Sequence, residues 1–174
     1  IGEEYALTRH NIGWLVADRL REKLKVNLEK GQGSYYIAQA KYMGKNIAII
    51  YPTTYMNRSG DAAAYFTSKK YVEVSNVIAL VDEYNFEPGK VHLKKGGSDG
   101  GHNGIASLID KLQSSEFYRL RFGIGKNFRP GGMSDYVLGK FPNNEAKAVD
   151  YMCERGANSI LYILKAGTAR AMSD

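Results

Sequence analysis

The sequence predicts an α/β fold, because short β-rich runs alternate along it with segments of helical periodicity. The apolar run Val77-Ile78-Ala79-Leu80-Val81 is continuous enough for a buried strand, and Asp82 at its end sits where a parallel strand delivers a polar residue to a site. Glycines at 96, 97, 100, 101 and 104 then make a loop that opens a helical pattern at His102-Asn103-Gly104.

Taken in order, residues 1–10 form a turn or loop that leads into a helix from Asn11 to Leu28. Ile12, Leu15, Val16, Leu20 and Leu24 fall near helical spacing there, with charges between them. Two β-rich runs follow, Ser34–Met43 and Asn46–Tyr51, joined by a turn through Gly44, Lys45 and Asn46 as in a hairpin. Residues 55–60 lead into a second helix that runs through Lys69. Asn76–Asp82 is the buried strand, Val91–Lys95 a short basic strand and Asn103–Leu112 a third helix. Tyr118–Lys126, YRLRFGIGK, alternates basic and apolar residues and so predicts a half-exposed strand. The Gly/Pro-rich segment Asn127–Gly132 is expected to be mobile. Pro142 then precedes a helical pattern from Asn143 to Ala166. There is no repeat, linker or second domain.

A chain of 174 residues, 44% of them hydrophobic, can bury one domain-sized core. No apolar run approaches the roughly 18 residues that span a bilayer. The single cysteine, Cys153, excludes an internal disulfide and points to a reducing compartment, hence a cytoplasmic location. A net charge of +6 favours an anionic partner such as nucleic acid, against the common alternative of a solvated basic surface. Thirteen tyrosines could stack on bases, although most serve as ordinary core or rim residues.

The glycine loop is preceded by Lys94 and Lys95, so its bare amides suit a phosphate, a carboxylate or a developing oxyanion. Such loops are also often plain tight turns. Residues 96–100, GGSDG, satisfy the G-x-S-x-G pattern of a nucleophile elbow, but the run before them is His-Leu-Lys-Lys and no histidine follows His102. The match is accidental. With three histidines, at 10, 92 and 102, and no HExxH or CxxC, the sequence gives no metal motif.

What remains is acid–base chemistry by histidine. His10 lies in the polar stretch Thr8-Arg9-His10-Asn11, where a surface or capping histidine is the bland alternative. Asp82 could accept a hydrogen bond from one ring nitrogen and leave the other to deprotonate water. Asn57 and Asn103 offer amides that could orient water or a carbonyl, or could simply cap helices.

Four blocks then carry a family resemblance: GEEYALTRHNIGW (2–14), PTTYMNRSG (52–60), the long block 81–108, and FYRLRFGIGK (117–126) with DYVLGKF (135–141). In this combination and order they resemble bacterial-type peptidyl-tRNA hydrolase over nearly the whole chain. The resemblance implies a monomeric, single-domain three-layer sandwich, a mixed twisted β-sheet flanked by helices, with no metal or organic cofactor. It implies hydrolysis of the ester between a peptide and the 3′-terminal ribose of tRNA. By motif, His10 would be the base that activates water, oriented by Asp82; Asn57 would place water or substrate, and Asn103 the scissile carbonyl. Tyr5, Tyr55 and Met56 would line the pocket, Lys94 and Arg121 would face tRNA phosphate, and His102 would be a structural or pocket residue rather than a second base.

There are departures. The family opens with an apolar strand and a Gly-Leu-Gly-Asn-Pro-Gly turn; this chain starts inside that turn, without its asparagine and with Ile1 where proline is usual, so it is expected to be a piece of a longer chain. His92 replaces a more usual basic residue. Two other readings stay open: a catalytically quiet RNA-binding protein on the same fold, and a nucleotide-binding protein using the 96–104 loop, the latter lacking a Walker or dinucleotide fingerprint.

Overall fold

The computed structural model describes residues 8–173. By backbone contacts the chain divides into two compact units. Among the described residues the first holds Val26–Ala79 and Lys95–Tyr118, and the second holds residues 8–25, Leu80–Lys94 and residues 119–173. The expected α/β alternation is present: among the described residues six strands lie in two three-stranded sheets, with helices between them in the chain.

In the first unit, β1 (Glu29–Lys30), β2 (Tyr35–Tyr42) and β3 (Lys45–Pro52) form an antiparallel sheet in that order. The β2–β3 turn is tighter than the sequence suggests. It is a two-residue loop of Met43 and Gly44, both left-handed (φ 51° and 78°), whose twist matches that of the flanking strands. Tyr35 and Ile37 pack against Ala62 of α2 (Ser59–Lys70), with Phe66 beside them. α2 also crosses α3 (Asn103–Leu112) at Gly60, where a Cβ would come within 2.2 Å of the Ser107 carbonyl oxygen. That glycine lets the two helices touch backbone to backbone, and its N–H donates to Ser107 Oγ at 2.9 Å.

The second sheet has the order β4 (Ile78–Glu83), β6 (Tyr118–Gly123), β5 (Val91–Lys95). It is mixed. Tyr118 N donates to Val77 O and Ile124 N to Glu83 O, a parallel register, whereas Gly123 N donates to Lys90 O and Gly96 N to Phe117 O, an antiparallel one. The expectation of a half-exposed strand at 118–126 is corrected here: β6 is central, and only Arg121 among its six residues is not buried. The basic alternation therefore does not mark a solvent face; Arg119 is 4% exposed.

In the second unit α1 (Ile12–Leu24) buries Ile12, Val16, Ala17 and Leu20 along one stripe and packs on α5 (Ala146–Ala166). α1 stops four residues short of the expected Leu28 because Lys25 turns left-handed (φ 54°) and its N–H closes on the carbonyls of Arg21 and Glu22. Arg19 clips the two helices together at their rim, donating to Asp150 at 2.7 Å and Glu154 at 2.9 Å. Gly156 of α5 meets Phe122 and Val16, and Cys153 lies buried one turn earlier, its thiol pushed up to about 11 mainly by desolvation. Two short helices, α4 (Met133–Leu138) and α6 (Thr168–Ser173), carry no strong periodicity in the sequence.

Candidate active site

Two residues 72 apart in sequence come together in the second unit. His10 sits in a 3-10 turn, Arg9–Asn11, that runs straight into α1, and Asp82 sits near the end of β4. Gly13 brings them into reach. A Cβ there would lie 2.5 Å from the Leu80 carbonyl oxygen, so only glycine lets the first turn of α1 press against β4 two residues before Asp82. The His10 Nδ1 to Asp82 Oδ1 distance is 2.9 Å. The Asp82 side chain is only 5% exposed, against 17% for His10. A buried carboxylate is costly unless a donor faces it, so Nδ1 carries the proton and donates, leaving Nε2 as the basic nitrogen.

Asn57, Tyr55, Met56, His102 and Asn103 all belong to the first unit. There the 3-10 turn Met56–Arg58 packs on α3. Gly104 makes the contact possible, since a Cβ would be 2.6 Å from Met56 Sδ. His102 is the N-cap of α3: its Nδ1 accepts from Ile105 N–H at 3.2 Å, which requires that nitrogen to be unprotonated. Asn103 and Asn57 are exposed, and Tyr55 is 76% exposed.

The basic positions also differ from one another. Lys94 is half-buried on β5. Arg121 on β6 is held from three sides: Nη1 to Glu83 Oε2 at 3.4 Å, Nη2 donating to His92 Nδ1 at 2.9 Å, and the guanidinium 4.8 Å from the Phe86 ring centre. His92 therefore supplies an acceptor where a cation was expected. Its basicity is held below the ordinary value by desolvation first, then by the charges of Arg121, Lys90 and Lys94.

A family model described as peptidyl-tRNA hydrolase matches residues 1–174. The chain belongs to the peptidyl-tRNA hydrolase family. It is 37% identical over 172 residues to the peptidyl-tRNA hydrolase of Thermoanaerobacter sp. (strain X514), covering 99% of this chain and 92% of that protein. It is 38% identical over 176 residues to the one from Geobacillus kaustophilus, with 99% and 93% covered. The crystal structure of the Acinetobacter baumannii peptidyl-tRNA hydrolase superposes with a TM-score of 0.94 at 30% identity, over 99% of this chain and 88% of that one.

For a member of this family, the residues singled out in the sequence fall into two groups. His10, Asp82, Lys94 and Arg121 lie in the second unit, where His10 and Asp82 are in direct contact. Tyr55, Met56, Asn57, His102 and Asn103 lie in the first, where the 3-10 turn and the start of α3 meet. Tyr5 lies outside the described residues. Sequence reasoning missed the pair formed by Arg9, next to His10 in the chain, and Tyr136, although the block DYVLGKF (135–141) flags the segment. No described helix is long and apolar enough to cross a membrane.

Proposed function

We propose that this chain, acting as a single domain, hydrolyses the ester between a peptide, or an N-blocked amino acid, and the 3′-terminal ribose of tRNA, so that tRNA is recycled. The observation that carries the reading is the 2.9 Å contact between His10 Nδ1 and a buried Asp82. With Nδ1–H held by the carboxylate, Nε2 is poised to take a proton from water as the water oxygen attacks the ester carbonyl carbon. The tetrahedral intermediate collapses by breaking the bond to the ribose oxygen, which takes back the proton from Nε2. Free peptide acid and a tRNA 3′-hydroxyl result. Asn103, first residue of α3, offers amide N–H groups to the developing oxyanion, and Asn57 orients the water or the substrate. An ester needs no stronger nucleophile than a deprotonated water, so this set suffices without a protein acyl intermediate.

Tyr5, Tyr55, Met56 and His102 serve the pocket for the peptide and terminal adenosine in this reading. Lys94 and Arg121 meet phosphate, which suits recognition of many tRNAs by backbone and shape. The family's place in translation and the single cysteine support a cytoplasmic location, and the chain is read as a monomer.

The test is release of an N-blocked amino acid from its tRNA ester by the chain and by His10→Ala. A loss of about a hundredfold or more in kcat, with tRNA binding retained, is expected for removal of a general base. Tight tRNA binding by both proteins with release by neither would instead mark an RNA-binding protein.

A further inference from the structure

The turn that carries His10 is held from outside as well as by its own bonds. The 3-10 turn Arg9–Asn11 is three residues long and closes on two backbone bonds, Asn11 N to Thr8 O at 3.1 Å and Ile12 N to Arg9 O. Short 3-10 segments have poor hydrogen-bond geometry and depend on outside support. The support comes from residues 128–141. Arg9 N–H donates to Gly139 O at 3.0 Å, and Thr8 pairs with Lys140 as an antiparallel bridge. The Arg9 guanidinium lies 4.1 Å from the Tyr136 ring centre and 5.8 Å from that of Phe141, and its Nη1 donates to Tyr136 O at 3.2 Å.

Tyr136 is itself anchored. Its hydroxyl donates to Ile124 O at 2.6 Å, just past β6, and its ring packs on Phe128 at 5.2 Å between centres. Phe128 in turn meets Tyr84 edge to face at 5.9 Å. Tyr84 is two residues beyond Asp82. These contacts, joined through the backbone from Asp82 to Tyr84 and from Arg9 to His10, close a circuit: Asp82, Tyr84, Phe128, Tyr136, Arg9, His10 and back to Asp82. Both members of the dyad are tied to the same aromatic stack, one from each side.

We infer that Tyr84, Phe128, Tyr136 and Arg9 are positioning residues, a clasp that fixes the angle at which the His10 ring meets Asp82 and so aims Nε2. None of them reaches the reacting atoms in this role. Each ring or cation–π link is weak alone, but together they restrict a turn of only three residues. A base displaced by about 1 Å can lose on the order of a hundredfold in rate, so rigidity at this turn converts directly into kcat.

The inference rests on His10 being the base, and the test separates the two. Ester release and the ring ¹⁵N and ¹H signals of His10 are measured for the chain, for His10→Ala, for Tyr136→Leu and for Tyr136→Phe. Tyr136→Leu should lose about tenfold or more in kcat with KM within about twofold, and its His10 signals should move away from the Nδ1–H form bonded to Asp82. Tyr136→Phe keeps the ring under Arg9 and should recover most of the rate. Should Tyr136→Leu fold poorly, Gly139→Ala takes its place, since its Cβ would lie 3.0 Å from Arg9 Nη1 and displace the guanidinium while every ring stays. Unmoved His10 signals, an unchanged kcat, a loss confined to KM, or Tyr136→Phe as impaired as Tyr136→Leu would each overturn the clasp. If His10→Ala itself keeps full activity, it is the assignment of the base that fails.

Discussion

The two units use the same short motif for opposite ends. Each has a His-Asn pair at the start of a helix with a glycine close behind: His10-Asn11-Ile12-Gly13 leading into α1, and His102-Asn103-Gly104 leading into α3. In both, the glycine allows a close approach, to the Leu80 carbonyl in one and to Met56 in the other. The imidazoles then diverge. His10 turns Nδ1 to a buried carboxylate, so that nitrogen must donate, whereas His102 turns Nδ1 to the Ile105 N–H, so that nitrogen must accept. One ring is set up to leave its far nitrogen basic; the other leaves its far nitrogen protonated and spends its lone pair on a helix end. The partner, not the motif, decides which histidine can be a base.

The sharpest way to break this contrast is to alter each partner set. Asp82→Asn, whose amide can hold the wrong tautomer, is expected to cost about a hundredfold or more in kcat with little change in KM. His102→Ala should instead show mainly as stability, about 1 kcal/mol from the lost cap, read from a denaturant midpoint. Equal losses of kcat in both would erase the distinction.

A smaller difference is expected at the glycines. Gly13→Ala sets a Cβ 2.5 Å from a backbone oxygen that cannot step aside, and a cost of about 1–3 kcal/mol should follow. Gly104→Ala meets the Met56 sulfur at 2.6 Å and the His102 ring at 2.9 Å, and a thioether can rotate away, so less than about 1 kcal/mol is expected. Thermal midpoints rank the pair, and the reverse order would mean that the α1–β4 approach has slack.

The least effect is a pH dependence from His92. Its folded pKa lies below the ordinary 6.5, so the unfolded chain binds the proton more readily. The stabilisation is fully present above about pH 6.5 and fades as pH falls toward the folded value. The bond from Arg121 to His92 Nδ1 is lost on the same protonation. Thermal scans at a series of pH values should give a shallower acid decline for His92→Gln than for the parent; identical slopes would remove His92 from the account.

Local pattern made much of this legible. The bounds of β5 and α3 agree with the sequence reading, because glycine, charge and apolar period there all point the same way. In the sequence Arg119 and Arg121 of β6 resemble a wet face, yet they lie on a central strand, a property of strand order that no window of residues contains. Asp82 at a strand end and His10 at a helix start were visible as chemical types. Their 2.9 Å contact was not, because it depends on Gly13 clearing Leu80. The stack from Tyr84 to Tyr136 was hidden for the same reason: its members come from three separated segments, none with a strong period of its own.

Cys153 carries a last consequence. Buried against α1 with its thiol held near pKa 11, it presents almost no thiolate at neutral pH and resists alkylation and oxidation while the chain is folded. Because it is the only sulfhydryl in the sequence, its labelling rate is a clock for the opening of the α1–α5 pair. The protein brings its own unfolding reporter, readable as the mass that a thiol reagent adds, with no engineered residue.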